Sequence, residues 1–168
     1  MPIDPTPFLT VRPAPCAVFD RLAEREGSPR FWVGDGESSW RPVTWGEYAE
    51  AIRDVAMVCG QTLQPGERAA IFGHNSVAWA TAAMAIQAVG GVMVPIYPAS
   101  TAEQAAYVAQ HSGAKMLFVA GADLVERVLA CWSALSEVQT IVVMDDTDPC
   151  SIAVPNKPSA ADIEAKFV

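Results

Sequence analysis

Charged residues make up only 18% of the 168 positions, histidine occurs twice and cysteine four times, and each shortage removes a kind of chemistry. Cys16, Cys59, Cys131 and Cys150 form no Cys-x-x-Cys pair, and neither His74 nor His111 stands beside one of them. A zinc centre, which gathers four nitrogen or sulfur ligands at short spacings, is therefore not expected. Lys and Arg number 11 against 19 Asp and Glu, a net charge of −8. Nucleic acid rewards a basic face with counterion release, so it is excluded as a partner. The N-terminus carries no secretory signal, and a reducing cytoplasmic setting is the simplest expectation.

Several phosphate and hydrolase motifs are missing as well. No Gly-x-Gly-x-x-Gly follows a strand, no Gly-x4-Gly-Lys-Ser/Thr loop occurs, and there is no Gly-x-Ser-x-Gly elbow. Gly34-Asp35-Gly36 is too short and belongs to a hairpin turn. Ser112-Gly113-Ala114-Lys115 is a superficial match whose lysine opens a strand.

What is present is an apolar α/β pattern, with 51% hydrophobic residues. Pro2, Pro5, Pro7 and Pro13 make residues 1–14 an extended arm. Cys16 to Glu26 reads as one short amphipathic helix with Val18, Phe19 and Leu22 on its apolar face. Phe31–Val33 and Ser39–Val43 flank a glycine turn and read as a β-hairpin. Thr44-Trp45-Gly46-Glu47 is a capping box that starts a helix running to Thr62.

From Arg68 onward strands and helices alternate. Strands are expected at 68–72, 92–97, 115–120 and 140–144, with helices over 77–89, from Ser100 or Thr101 to 112, and over 123–135. The run Val77 to Tyr97 holds no charge, and its length alone would suit a membrane span. Gly90-Gly91 and Pro95 interrupt it, so a buried helix, a turn and a buried strand explain it better. Four apolar strands joined by helices predict a parallel sheet with right-handed crossovers, covered on both faces. Residues 151–159 lose periodicity, and 160–168 begin a helix.

The individual candidates are few. His74 follows a strand at its carboxyl end, where α/β sheets place ligands, although a turn histidine bonded to backbone is the better reading. Asp145 and Asp146 stand at another strand end, open to a metal, a ribose or plain solvent. Trp40 and Trp45 read as core staples around the hairpin, and Cys59 and Cys131 as inert buried thiols on apolar helix faces.

Val43-Thr44-Trp45-Gly46-Glu47-Tyr48, Leu63-Gln64-Pro65-Gly66-Glu67-Arg68-Ala69-Ala70-Ile71 and His74-Asn75-Ser76-Val77-Ala78-Trp79 together resemble the N-terminal part of AMP-forming acyl-CoA synthetases. Gly90-Gly91-Val92-Met93-Val94-Pro95-Ile96-Tyr97-Pro98-Ala99-Ser100, with Ala102-Glu103-Gln104 and Ser112-Gly113-Ala114-Lys115 after it, is similar to the long-chain fatty acid–CoA ligase branch. The similarity runs in order over residues 15–146.

It implies a Rossmann-like parallel sheet flanked by helices, the N-terminal subdomain of the adenylate-forming synthetase fold, preceded by the β-hairpin. The whole chain would be an incomplete N-terminal part of the AMP-binding large domain: arm 1–14, helix, hairpin and long helix 15–65, alternating elements 66–146, tail 147–168. The complete enzyme would use ATP, magnesium and coenzyme A to activate a fatty acid. Its partners would be the remainder of the large domain, with a homodimer and a peripheral membrane contact as further classes. The family's phosphate loop, adenine-binding segment and C-terminal lysine have no counterpart here. No catalytic, cofactor-binding or metal residue is therefore assigned, and the chain alone is expected to be inactive. The alternatives are a non-catalytic α/β interaction or dimerisation module, and a flavodoxin-like nucleotide binder.

Overall fold

The computed structural model describes residues 12–34, 36 and 38–144, and the backbone of 152–153. Most of the expected arm, Asp145, Asp146, Cys150 and the helix over 160–168 lie outside the described residues. Two compact units divide within one helix, Met1–Ala49 and Glu50–Val168.

The first unit opens with two helices, α1 (Ala14–Phe19) and α2 (Leu22–Arg25), where the sequence reading has one. The break falls at Asp20, which caps α1, and Arg21, which precedes α2. Asp20 is exposed and takes the Arg12 guanidinium at 2.6 and 3.2 Å. Only Pro15 and Val18 of this segment are buried, so no continuous apolar face holds the two turns in one helix.

Strands β1 (Pro29–Gly34) and β2 (Trp40–Thr44) pair antiparallel as expected, Phe31 opposite Val43 and Trp32 opposite Pro42. One extra residue, Arg30, bulges from β1. Its guanidinium lies 4.7 Å from the Phe31 ring centre and 4.8 Å from that of Trp45. Phe31 meets Tyr48 edge to face at 4.9 Å, which closes the inner side of the hairpin. Trp45 is half-buried, whereas Trp40 is 65% exposed. Trp40 is therefore not a core staple. The period of two puts Trp32, Gly34, Trp40 and Pro42 on the outer face, and the Trp40 ring rests over Gly34.

Helix α3 (Trp45–Thr62) begins at the capping box. The Thr44 N–H donates to Glu47 Oε2 at 2.6 Å, and the Glu47 N–H donates to Thr44 Oγ1 at 3.1 Å. These bonds from Thr44, backbone first, hold the Glu47 carboxyl below its ordinary value.

The second unit contains β3 (Arg68–Phe72), α4 (Val77–Ala88), β4 (Val92–Ile96), α5 (Ala102–Ser112), β5 (Ala114–Ala120), α6 (Ala122–Ala130), a 3-10 turn (Trp132–Ala134), β6 (Thr140–Met144) and β7 (Ile152–Ala153). The sheet order is β4-β3-β5-β6-β7; the first four strands are parallel, and β7 is antiparallel to β6. Within the stretch expected to lose periodicity, Ile152–Ala153 form β7. A strand of two residues leaves no periodicity to read.

Alternation decides which core each sheet residue joins. Ala69, Ile71, Met116 and Phe118 face Val55 and Cys59 of α3 and Ala82 and Ile86 of α4. Ala70, Phe72, Leu117 and Val119 face Ala105 and Ala109 of α5 and Leu124 and Val128 of α6. Burying one such large apolar side chain contributes about 1.5–3 kcal/mol. Lys115 is the extra residue of a bulge against β3, and its ammonium pairs with Glu137.

Coverage on both faces holds for β3 and β5 but fails for β4, where Val92 and Pro95 are exposed. Among the described residues no helix is long and apolar enough to cross a membrane. The run from Val77 to Tyr97 is helix, turn and strand, as read from the sequence.

Candidate functional site at the carboxyl edge of the sheet

In an open α/β sheet the ligand crevice lies beyond the carboxyl ends of the strands, where the strand order reverses. Here that point is between β3 and β5, because β4 lies on one side of β3 and β5 on the other. The chain leaves β3 through Gly73-His74-Asn75-Ser76 and leaves β5 through Gly121.

The reversal point is closed at its base. A Cβ on Gly73 would stand 2.8 Å from the Ala120 Cβ and 3.4 Å from Met144 Cε. Glycine is used here for close strand packing, and no pocket for a phosphate opens between the strands. His74 and Asn75 are exposed above it, and the His74 ring makes no hydrogen bond to a described residue. The backbone-bonded turn histidine expected as one alternative is thus not what forms.

The helix starts around this edge satisfy themselves. Ser76 Oγ accepts from the Trp79 N–H at 3.1 Å at the start of α4. At α5, Thr101 Oγ1 accepts from the Gln104 N–H at 3.3 Å, and the Gln104 side chain accepts from the Thr101 N–H at 2.9 Å. Helix α6 starts after Gly121 without a side-chain cap, but Asp123 sits in its first turn. A carboxylate there occupies the positive end of the helix and repels a phosphate. Among the described residues no three His, Cys, Asp or Glu side chains cluster as a metal site. These groups do not fit ATP or magnesium.

One contact organises the edge. Arg127 on α6 reaches back to the loop after β4 and donates from Nη1 to the Pro98 carbonyl at 3.2 Å and the Ser100 carbonyl at 3.0 Å. Its Nη2 lies 3.8 Å from Asp123. Tyr97, at the head of this loop, is 75% exposed. Nothing in the spacing of Arg127 pointed to this role, since its partners are backbone carbonyls distant in sequence.

The thiols stay apart. Cys59 is fully buried, and burial pushes its thiol up to about 12. Cys131 is only half-buried and sits at the end of α6, where it donates to the Val128 carbonyl. Its expected place on a buried helix face is corrected, because α6 ends at Ala130 and gives way to the 3-10 turn. Burial raises the Cys131 thiol as well.

A family model described as AMP-binding enzyme matches residues 19–166. The chain belongs to that family. Among its AMP-binding relatives, the long-chain-fatty-acid–CoA ligase FadD15 of Mycobacterium bovis is 40% identical over 106 residues, covering 61% of this chain and 18% of that ligase. The long-chain-fatty-acid–CoA ligase ACSBG1 of Mus musculus is 24% identical over 149 residues, covering 88% of this chain and 21% of the relative.

The fold agrees. A crystal structure of the anthranilate CoA ligase AuaEII with anthranoyl-AMP superposes with a TM-score of 0.73 at 18% identity, over 84% of this chain and 26% of that one. Acetoacetyl-CoA synthetase from Streptomyces lividans gives 0.72 at 18% identity, over 88% and 23%. The chain thus spans about a fifth to a quarter of the lengths of these AMP-binding proteins.

Proposed function

We propose that this chain is the opening part of the adenylating domain of a long-chain fatty acid–CoA ligase, a cytoplasmic enzyme that activates a fatty acid with ATP and magnesium and passes it to coenzyme A. The 40% identity to a long-chain ligase over 106 residues carries the reading. It extends over 61% of this chain and not over a single short motif. In this reading the chain contributes scaffold, and the residues that hold ATP, magnesium and coenzyme A belong to the remainder of the large domain. The chain alone does not turn over substrate, because developing charge on a transferred phosphoryl group needs donors aimed at it. Around the carboxyl edge, the backbone N–H groups of Trp79, Thr101 and Gln104 are already taken up by the caps of α4 and α5.

The test has two arms. The isolated 168-residue chain, given ATP, magnesium, coenzyme A and palmitate, is expected to release no AMP. The reading frame after the Val168 codon is expected to encode the phosphate loop, and the protein it encodes to form palmitoyl-CoA in preference to acetyl-CoA. AMP release by the isolated chain would sink the scaffold reading. A stop codon directly after Val168 would favour the non-catalytic interaction module.

A further inference from the structure

The loop between β4 and α5 is held from a distance, and the holder does more than fill space. Its backbone turns through Ser100, whose N–H donates to the Tyr97 carbonyl at 2.9 Å. The next residue, Thr101, opens the capping box of α5. These local bonds fix the two ends of the turn. The carbonyls of Pro98 and Ser100 remain, and both accept from the single Nη1 of Arg127. Arg127 stands in the last turn of α6, 29 residues from Pro98.

A planar guanidinium that takes two carbonyls at once fixes their relative direction, which a lysine ammonium does not. Asp123, one helical turn earlier on α6, lies on the other side of the guanidinium at 3.8 Å and limits its swing.

We propose that Arg127 is a positioning residue that sets the β4–α5 loop and, through it, the direction in which Tyr97 projects at the carboxyl edge of the sheet. Tyr97 follows the last residue of β4 directly, so it turns with that loop. Its ring is 75% exposed and is thereby available to whatever completes this edge. The assignment rests on the contacts of the loop and not on the ligase reading, so the failure of one leaves the other standing.

The chain has three tyrosines, Tyr48, Tyr97 and Tyr107, which makes a clean spectroscopic test possible. Uniform 3-fluorotyrosine labelling gives three fluorine resonances, and Tyr97→Phe and Tyr107→Phe assign them. Tyr48 is buried and reports the fold of the first unit, whereas Tyr107, exposed on α5 and stacked on His111, reports on the second unit, which holds Arg127 and Tyr97.

In Arg127→Met the Tyr97 resonance is expected to move toward its unfolded position while those of Tyr48 and Tyr107 stay. Hydrogen exchange at the Ser100 amide is expected to rise by about tenfold, as loss of bonds to a charged donor implies. Arg127→Lys is expected to restore the Tyr97 resonance part-way, since an ammonium can still reach one carbonyl. An unmoved Tyr97 resonance in a folded Arg127→Met protein would overturn the proposal. So would a joint shift of Tyr97 with Tyr107 or Tyr48, which would make Arg127 a general stabiliser. Should Arg127→Met fail to fold, Arg127→Lys alone decides by the same comparison.

Discussion

Strands β3 and β4 are neighbours in one sheet, equal in length and similar in apolar content, yet they live in different surroundings. Ala69, Ala70, Ile71 and Phe72 of β3 are completely buried, while Val92 of β4 is 48% exposed and Pro95 is exposed. The difference comes from sheet position. β3 has a strand on each side, and among the described residues β4 has only β3. Pro95 fits that place. The Val92 N–H points to β3, where it donates to the Glu67 carbonyl at 2.8 Å, so by alternation the nitrogen of residue 95 faces away. A proline there costs no bond to β3 and removes a donor from the outer edge, which blunts strand addition.

The sharpest test of the contrast is deletion at the centre. Phe118 of β5 is fully buried, and Phe118→Ala is expected to destabilise by about 3–5 kcal/mol in urea unfolding. A loss no larger than that of an exposed residue would mean that the centre is loosely packed.

Alkali should also act on the buried side. Desolvation pushes Cys59 from about 9 up to about 12, and Tyr48 from about 10 up to about 12. Both groups then keep their protons in the folded chain at a pH where the unfolded chain has lost them. Stability is full below pH 9 and falls as pH rises from 9 to 12, measurable as a falling urea midpoint. Cys59→Ala should flatten the early part of that fall.

The next effect is smaller and concerns closeness. Gly73→Ala adds a Cβ that would stand 2.8 Å from that of Ala120, so it is expected to cost about 1–3 kcal/mol. Adding Ala120→Gly should recover part of the loss, and additive losses would show that the two residues do not press on each other. Smallest of all is Val92→Ala on the edge strand, expected within about 1 kcal/mol of the parent. A loss as large as that of Phe118→Ala would erase the distinction between edge and centre.

The regular elements were legible because local and global signals agree there. The β3 and β6 boundaries come out as read, and Thr44 with Glu47 forms the reciprocal cap that its spacing implied. What escaped was set by partners distant in sequence or by too few residues. The break at Asp20 goes with an ion pair to Arg12. The exposure of Trp40 depends on which hairpin face is covered, and composition does not say. Coverage of β4 depends on its being an edge. At the candidate site, the strand ends were readable, and Gly73 stood at one of them in plain view. That its missing side chain closes the gap to Ala120, and that Arg127 grips the loop after β4, are properties of the sheet order.

The sheet order has a consequence for how the chain comes into being. β4 pairs with β3, β5 with β3, β6 with β5 and β7 with β6, so every strand after the first joins one that precedes it in the chain. During synthesis from the N-terminus, each of these later strands finds the strand it first pairs with already out of the ribosome.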